Sequence, residues 1–359
     1  PMLEHIFELL KRHGFTDIVV ALYFHPEVIT EYFGDGSKWG LRLSYLLPDT
    51  DLGTAGCVKR AEDLLGREPF LVISGDVLTN IDLTRAVRYH QDRHALATLV
   101  LSRVENPLAF GVVITHEDGR IARFLEKPSW GEVFSDTINT GIYILEPQVL
   151  DRIPEGEEYD FGKQLFPGIL ADKLPLYGYI AEDAYWKDVG NLTEYRLAHY
   201  DAIREEGRLA APPAQPQQNG RWLGTNCYVD ASARLGEGVV LGDNCWIGPN
   251  VRISNSVLGA SCRVGEGSKI IGSIIWDDVT IGNDANLKEV TICNDCRIGP
   301  RAYIGVGAVV SDHCTIGEDA IFEPVVAGDD CYVRTSYGAP NYRIGRLDLA
   351  DPPTVEGPA

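Results

Sequence analysis

Aliphatic residues recur at intervals of six between residues 235 and 316 of this 359-residue chain. Glycine follows several of these positions, as in Leu235-Gly236, Ile281-Gly282 and Ile316-Gly317. A hexapeptide period predicts a parallel β-helix, because each repeat forms one flat face and only stacked coils bury the aliphatic column. The positions in frame are Leu235, Leu241, Ile247, Ile253, Leu258, Val264, Ile270, Ile281, Leu287, Ile298, Ile304, Val310 and Ile316.

The first 205 residues have a different pattern, in which apolar strands alternate with amphipathic helices. Such alternation predicts βαβ units, and therefore an α/β, Rossmann-like domain with a mixed, mainly parallel sheet. The predicted strands are 18–23, 41–46, 70–75, 96–101, 111–114, 121–125 and 139–145. The predicted helices are 27–33, 54–65, 83–93 and 192–204, the last of which closes the domain.

The chain between the two periodic regions is rich in Ala, Pro, Gln and Gly, which is typical of an extended linker. The predicted organisation is therefore a first domain over residues 1–205, a linker over 206–222, a β-helix over 223–330 and a tail over 331–359.

The formal net charge of the chain is -20, and no Lys/Arg-rich run is present. This argues against a nucleic-acid surface, because phosphate backbones are held by clusters of Lys and Arg. No apolar run approaches the ~18 residues of a membrane span, and no signal-peptide pattern opens the chain. We expect a cytoplasmic protein without nucleic-acid or membrane partners.

Seven of the eight cysteines follow residue 206. Most of them occupy one slot of the repeat, two residues before an aliphatic position, where alanine stands in other repeats. Free cysteine behaves as a small hydrophobe, so we expect these thiols to point inward. A zinc or redox pair at Cys293 and Cys296 is the alternative, although no second pair follows. The cysteines in this slot are Cys227, Cys245, Cys262, Cys296, Cys314 and Cys331.

The hexapeptide repeats resemble those of left-handed β-helix proteins. In acyltransferases with this repeat a histidine between coils acts as a general base, so His313 is a candidate for that role. The alternative is that His313 occupies a solvated corner of the β-helix.

Two aspartates end apolar segments of the first domain. Asp76 follows the predicted strand 70–75, and Asp188 ends the run Tyr185 to Asp188. In open α/β sheets ligands bind beyond the carboxyl ends of the strands. Two carboxylates there suit a hard divalent cation that carries phosphate groups. Each aspartate is alternatively a helix cap or a turn residue.

Several segments of the first domain together resemble the sugar-phosphate nucleotidyltransferases, and within them the mannose-1-phosphate guanylyltransferases. The resemblance implies synthesis of a nucleotide-sugar from a nucleoside triphosphate and a sugar 1-phosphate, with release of pyrophosphate. The implied substrates are GTP and mannose 1-phosphate. The segments are Leu52 to Gly56, Ser74 to Leu78, Phe110 to Val113, Phe124 to Pro128, Ser135 to Pro147, Tyr159 to Pro167 and Trp186 to Gly190.

The resemblance also implies roles for single residues. Asp76 and Asp188 would hold Mg²⁺ between the two substrates, and Lys127 would bind the sugar phosphate. Glu126 would accept hydrogen bonds from sugar hydroxyls, unless it forms a surface ion pair with Lys127.

Two further groups of residues complete the implied site. Asn139 and Thr140 would contact the sugar, and Gly111 would let the backbone approach it closely; an ordinary strand edge is the alternative. The base and ribose would lie against Leu52, Gly53, Thr54 and Gly56, unless this segment is a plain helix N-terminus with Thr54 as its cap.

One element of the family is absent from the sequence. The Gly-rich loop that wraps the triphosphate precedes the segment that begins here at Pro1, and we expect the chain as given to be truncated and impaired in catalysis. The alternatives to a GTP- and mannose-dependent enzyme are a non-catalytic regulatory homologue that binds nucleotide-sugar, a glucose-1-phosphate nucleotidyltransferase and a β-helix acyltransferase. The open ends of the β-helix make a homo-oligomer plausible.

Overall fold

The structure is a computed structural model that describes residues 1–129, 131–133, 135–204, 215–217, 221–327, 332–333 and 337–344. Two compact units divide the chain, over residues 1–188 and 189–359. Most of the predicted linker and of the predicted tail, including Cys331, lies outside the described residues.

The first unit alternates helices and strands. Its α-helices are α1 (Met2–Arg12), α2 (Pro26–Phe33), α3 (Gly53–Arg60), α4 (Glu62–Leu65), α5 (Leu83–Asp92) and α6 (Phe166–Ala171). Short 3₁₀ segments cover Ser37–Trp39 and Pro147–Arg152, and a π-helical turn covers Phe161–Leu165. The strands are β1 (Asp17–Ala21), β2 (Arg42–Leu46), β3 (Phe70–Ile73), β4 (Val77–Thr79), β5 (Ala97–Arg103), β6 (Gly111–Thr115), β7 (Ile121–Glu126), β8 (Thr137–Leu145), β9 (Leu176–Ile180) and β10 (Trp186–Asp188).

The central sheet of this unit is mixed. Its long strand β8 pairs antiparallel with β3, β5 and β6, while β5 pairs parallel with β9. Strand β7 extends the sheet beyond β6, again antiparallel. Strands β1 and β2 form a separate parallel pair, and β4 and β10 form a separate antiparallel pair.

Apolar burial explains why these segments form these elements. Six consecutive residues of β5 are buried, as expected for a strand covered on both faces. Helix α1 buries Ile6, Phe7, Leu9 and Leu10, spaced as one stripe of a helix. That stripe belongs to the same core cluster as Val77 of β4, the residue that follows Asp76.

The second unit is a parallel β-helix with three faces. One face consists of Arg221–Leu223, Val239–Leu241, Ser256–Leu258, Ile274–Ile275, Thr291–Ile292 and Val309–Val310. The next consists of Tyr228–Val229, Trp246–Ile247, Arg263–Val264, Thr280–Ile281, Arg297–Ile298, Thr315–Ile316 and Tyr332–Val333. The third consists of Arg234–Leu235, Arg252–Ser254, Lys269–Ile271, Asn286–Lys288 and Tyr303–Ile304. The strand Ile321–Ala327 pairs with strands of the first and third faces, and Tyr337–Ile344 pairs with Ile321–Ala327. At the other end of the β-helix, Gln215–Gln217 pairs with Arg221–Leu223.

The predicted aliphatic frame is the core of the β-helix. Along the third face Ile253, Ile270, Leu287 and Ile304 lie opposite one another in successive coils, 17 residues apart, and all are buried. The cysteine slot also points inward, as predicted: four of its thiols are buried, and that of Cys227 is partly buried against the same core. Within the described residues no disulfide forms, and no group of three or more metal-binding side chains is present. The buried cysteines are Cys245, Cys262, Cys296 and Cys314.

Helix α7 (Leu192–Ile203) lies in the second unit. Ile203 belongs to a core cluster with Trp222 and Val240 of the β-helix. The indole N–H of Trp276 also donates a hydrogen bond of 3.1 Å to the Tyr195 hydroxyl. The helix therefore uses its buried side chains to cover one face of the β-helix.

The predicted α/β domain with a mixed sheet, followed by a parallel β-helix, is thus confirmed. In the part of the chain that the structure describes, no helix has both the length and the apolar character to cross a membrane.

Neighbouring isoleucines on one strand give a test of the inward column. Ile270 is fully buried, whereas the side chain of Ile271 is 42% exposed. We expect Ile270→Val to lower the free energy of unfolding by about 1 kcal/mol, because it removes a buried methyl group. The matched change Ile271→Val is expected to alter it by less than about 0.5 kcal/mol. Chemical denaturation of both variants measures their free energies of unfolding. Equal losses would contradict the assignment of Ile270 to the buried aliphatic column and of Ile271 to the surface.

Candidate active site

Asp76 lies in a short turn between β3 and β4, at the edge of the central sheet. The Ser74 N–H donates a hydrogen bond of 3.0 Å to the Gly141 carbonyl of β8, so β3 stays attached to the sheet up to this turn. The Asp76 side chain is exposed, while Val77 directly after it is buried. The turn therefore presents the carboxylate to solvent from a fixed backbone.

The antiparallel pairing of β4 and β10 brings the two predicted aspartates together. Asp188 lies opposite Val77, so it is one register position from Asp76. Opposite residues of an antiparallel pair have Cα atoms about 4.5 to 5.5 Å apart. The Trp186 indole N–H donates a hydrogen bond of 3.0 Å to the Thr140 carbonyl, which fixes β10 against β8. Two carboxylates from distant parts of the chain thus share one sheet edge.

This pair of carboxylates suits Mg²⁺ held jointly with a substrate. Among the described residues no group of three or more His, Cys, Asp or Glu side chains forms a metal cage. Mg²⁺ is usually bound through one or two carboxylates together with phosphate oxygens and water. The donor set of Asp76 and Asp188 fits that mode of binding.

The Glu126 carboxylate lies against two glycine backbones. Gly111 of β6 is opposite Glu126 of β7, and a methyl group at Gly111 would lie 2.7 Å from Glu126 Oε2. A methyl group at Gly162, in the π-helical turn, would lie 2.5 Å from the same oxygen. Only glycine at both positions leaves room for the carboxylate where it lies, and the approach of a sugar to the Gly111 backbone stays a prediction.

The surroundings of Glu126 favour its protonated form. Burial raises the pKa of the Glu126 carboxyl, and the nearby Asp160 carboxylate raises this pKa further. The ammonium groups of Lys127 and Lys163 lower the pKa but do not cancel the rise. A half-buried carboxyl with a raised pKa beside exposed lysines is a feature of functional sites.

Lys127 follows Glu126 in a left-handed backbone conformation. Its φ is +44°, a region that non-glycine residues rarely adopt, and its N–H donates a hydrogen bond of 3.1 Å to the Phe110 carbonyl. The Lys127 side chain is exposed. Strained residues of this kind cluster at ligand-binding sites, where the surrounding structure holds them.

The two predicted sugar-contact residues of β8 differ in exposure. Asn139 is half-buried; its amide donates a hydrogen bond of 2.9 Å to the Tyr143 hydroxyl, and its oxygen accepts one of 3.2 Å from the Gly141 N–H. One amide N–H and one lone pair of Asn139 are left for a ligand. Thr140 differs from expectation: its side chain is fully buried and its hydroxyl donates to the Val100 carbonyl at 2.7 Å. The Thr140 side chain therefore belongs to the sheet and offers no sugar contact.

The segment Leu52 to Gly56 packs against the chain's own backbone. The N–H groups of Ala55 and Gly56 both donate to the Tyr159 carbonyl, at 2.9 and 3.0 Å. A methyl group at Gly53 would lie 2.8 Å from that carbonyl oxygen, and one at Gly56 would lie 2.8 Å from the Glu157 oxygen. The backbone of 157–159 therefore fills the space on the Cβ side of these glycines, and the approach of base and ribose to this segment stays a prediction.

Thr54 has a role in the site other than the suggested helix cap. Helix α3 begins at Gly53, whose N–H donates a hydrogen bond of 2.9 Å to Asp51 Oδ1. The Thr54 hydroxyl instead donates a hydrogen bond of 3.0 Å to Asp160 and accepts one of 3.1 Å from the Phe161 N–H. It joins the start of α3 to the π-helical turn.

Asp160 is the site residue that sequence reasoning missed. Its Oδ1 accepts hydrogen bonds from the N–H groups of Gly162 and Lys163, at 2.8 and 3.0 Å, and its Oδ2 accepts the one from Thr54. It therefore holds Gly162 where that glycine contacts Glu126. The sequence signal for this role is an aspartate directly before Phe161 and Gly162, which is the pattern of a helix N-cap.

The first domain and the β-helix each match a family model. The model described as "Nucleotidyl transferase" matches residues 1–205. The model described as "EIF2B subunit epsilon LbH domain" matches residues 218–322, in agreement with the predicted left-handed β-helix.

Curated relatives match most of the chain. A UTP–glucose-1-phosphate uridylyltransferase from Synechocystis is 34% identical over 290 residues, covering 72% of this chain and 74% of that protein. A mannose-1-phosphate guanylyltransferase from Mycobacterium tuberculosis is 33% identical over 259 residues, covering 72% and 71%. Among solved structures, one from Bacillus anthracis described as a glucose-1-phosphate thymidylyltransferase in complex with sucrose has a TM-score of 0.50 at 25% identity, covering 55% of this chain and 80% of that one.

Proposed function

Because the chain belongs to the nucleotidyl transferase family, we propose that it transfers a nucleotidyl group to a sugar 1-phosphate, with GTP and mannose 1-phosphate as its substrates and GDP-mannose as the product. The observation that carries this proposal is the pairing of β4 with β10, which joins Asp76 and Asp188 at one sheet edge. That edge adjoins the strand β8 that also carries Asn139.

The reaction forms one bond and breaks one. An oxygen of the sugar phosphate attacks the α-phosphorus of the triphosphate, and the bond from this phosphorus to the bridging oxygen breaks, so that pyrophosphate leaves with the electron pair. Such transfers depend on positioning and on charge neutralisation more than on covalent help from the protein. Asp76 and Asp188 would hold Mg²⁺, which when bound offsets the repulsion between the phosphates of the two substrates.

The chain's own residues supply the positioning. Lys127 places a compact positive charge beside the sugar phosphate, and the Glu126 carboxylate accepts hydrogen bonds from sugar hydroxyls. Asn139 contributes its remaining amide N–H to the sugar. On the nucleotide side Thr54 connects the start of α3 to the turn at Asp160, and Gly162 of that turn lies against Glu126. Thr54, Asp160 and Gly162 thus form one hydrogen-bonded framework that reaches from the nucleotide side to the neighbourhood of Glu126.

Base and sugar preference is the finer part of the proposal. A mannose-1-phosphate guanyltransferase from Schizosaccharomyces pombe is 34% identical over 245 residues, covering 66% of this chain and 65% of that protein, and supports the guanylyl assignment. The Synechocystis relative, named for UTP and glucose 1-phosphate, is equally similar. The runs Ser135 to Pro147 and Tyr159 to Pro167 resemble the mannose-dependent group and decide our choice.

The test is to express the protein from its complete coding sequence and to measure pyrophosphate release from each nucleoside triphosphate paired with each hexose 1-phosphate, with Mg²⁺, together with the binding of each nucleotide-sugar. We expect the highest kcat/KM with GTP and mannose 1-phosphate. A preference for UTP and glucose 1-phosphate would overturn the substrate assignment. Binding of GDP-mannose with no turnover for any pair would identify a non-catalytic homologue instead.

The raised pKa of Glu126 predicts how nucleotide-sugar binding depends on pH. The ionised carboxylate is the better acceptor for sugar hydroxyls, so we expect GDP-mannose to bind more tightly as pH rises through a pKa above 4.5, the ordinary value for glutamate. The variant Asp160→Asn keeps an N-cap oxygen but removes the charge that raises this pKa. Calorimetric titration from pH 4 to pH 8 should therefore place the transition at lower pH in Asp160→Asn.

The same shift has a signature in stability. Since the pKa of Glu126 is raised by folding, the folded protein retains a proton that the unfolded chain has already released. The associated stability is complete below pH 4.5 and is lost as pH rises through the raised pKa. We expect the free energy of unfolding of the unchanged protein, minus that of Glu126→Gln, to fall as pH rises from 4.5 through the raised pKa of Glu126. A flat difference would contradict the assignment of the raised pKa to Glu126.

A further inference from the structure

A polar groove runs along one corner of the β-helix, far in sequence from the proposed active-site residues. Its volume is about 750 Å³, within the range of about 300 to 1,000 Å³ typical of small-molecule sites. Five of its lining residues occupy equivalent corner positions in successive coils, 17 or 18 residues apart, each with φ between +50° and +59°. These residues are Asn244, Ser261, Asp278, Asp295 and His313.

The strands beside this corner carry polar side chains that line the groove and, next to them, exposed aromatic rings. Arg263 and Thr280 line the groove itself and lie opposite each other in adjacent strands. Arg263 pairs with Thr280 on one neighbouring strand and with Trp246 on the other. The Trp246 ring is stacked on Tyr228, with ring centroids 5.8 Å apart and planes at 14°. Tyr228 is 51% exposed and Trp246 is 39% exposed. Exposed, stacked aromatic rings thus adjoin a row of polar groups.

Charge restricts what the groove can bind. Among the described residues that line it, Arg263 is the one permanent cation, against Asp278 and Asp295. The Asp295 carboxylate is 3.2 Å from His313 Nδ1. With a neutral histidine the lining has an excess of negative charge, which disfavours phosphates and other anions.

We propose that this groove binds a neutral oligosaccharide. Carboxylates, side-chain amides and the Arg263 guanidinium together offer the acceptors and donors that adjacent sugar hydroxyls require. The exposed rings of Trp246 and Tyr228 offer apolar faces against which the C–H side of a pyranose packs while its hydroxyls remain with the polar row. The proposal is independent of the proposed function, because none of its residues belongs to the first unit.

The test is to titrate the protein with maltotriose and with mannotriose by calorimetry and by saturation-transfer NMR. We expect saturable binding of one of them with a Kd on the order of 1 mM, which is about 4 kcal/mol of binding free energy. Trp246→Ala and the nearly isosteric Asp278→Asn should each weaken binding about tenfold. Asp284→Asn is the matched control, because Asp284 is a corner residue with nearly the same φ, +56°, but lies outside the groove lining.

Several results would overturn this proposal. One is the absence of saturable binding for both trisaccharides. Another is binding that is unchanged in both groove variants, and its loss in Glu126→Gln would assign the sugar to the first unit. A third is a change of sedimentation coefficient in Trp246→Ala without any sugar binding in the unchanged protein, which would make this face a contact between copies of the chain.

Discussion

Asp76→Asn should lower the rate of nucleotidyl transfer by about 1,000-fold, which corresponds to about 4 kcal/mol of transition-state stabilisation. The amide keeps the size of the side chain but removes the charge with which Asp76 would hold Mg²⁺. Because Asp76 is exposed, we expect this substitution to change the free energy of unfolding of the protein by less than about 0.5 kcal/mol. Pyrophosphate release at saturating Mg²⁺ measures the rate, and GDP-mannose binding measures the intact site.

Asp188→Asn and the double variant extend this test. Since Asp76 and Asp188 lie one register position apart, they should act as a unit, and the double variant should be hardly slower than either single one. Asp63→Asn, in the exposed helix α4, is the control for removing one negative charge from the first unit. Multiplicative losses in the double variant would mean that the two carboxylates act separately.

Gly162→Ala should raise the KM for mannose 1-phosphate by about 100-fold, because a misplacement of about 1 Å in a positioning group costs a factor of this size. The new methyl group would lie 2.5 Å from Glu126 Oε2, so the carboxylate must move away. The Gly162 N–H bond to Asp160 holds the backbone and prevents the turn from yielding instead. Steady-state kinetics with each substrate varied in turn measures the change.

Gly168→Ala provides the matched control in the adjacent helix α6. A methyl group at Gly168 meets no atom within 4 Å, and alanine is favoured over glycine in helices by about 1 kcal/mol. This variant should therefore be as active as the unchanged protein and slightly more stable. If Gly162→Ala and Gly168→Ala have the same KM for mannose 1-phosphate, Glu126 does not position the sugar.

Sequence pattern predicted much of the fold because the relevant interactions repeat locally. In the β-helix each six-residue repeat carries its own inward position, so the column through Ile253, Ile270, Leu287 and Ile304 follows from the period alone. The inward cysteine slot follows from the same frame. The strands of the first unit were predicted from apolar runs, but their order in a mixed sheet depends on pairings between distant segments.

The candidate site contains features that the pattern of residues along the sequence could not predict. Thr140 lies on β8, whose residues are largely buried on both faces, so alternation does not reveal which side chains face a ligand. The Asp160 framework joins residues about 106 apart in sequence, and only the packing of the π-helical turn on α3 brings them together. Helix α7 lies within residues 1–205, which the nucleotidyl transferase model matches, but chain order does not reveal that Ile203 packs with Trp222 and Val240 of the β-helix.

The sequence by itself determined the two architectures, the inward column of the β-helix and the identity of the acidic residues that end apolar segments, because these depend on local periodicity and on residue type. Only the tertiary structure decided that Asp188 lies beside Asp76, since residues more than 100 apart meet through the β4 and β10 pairing. The tertiary structure alone also decided that Glu126 lies between Gly111 and Gly162 and that Thr140 is buried. The physical reason is that strand pairing and burial are set by contacts across the whole unit, which no single segment of the chain specifies.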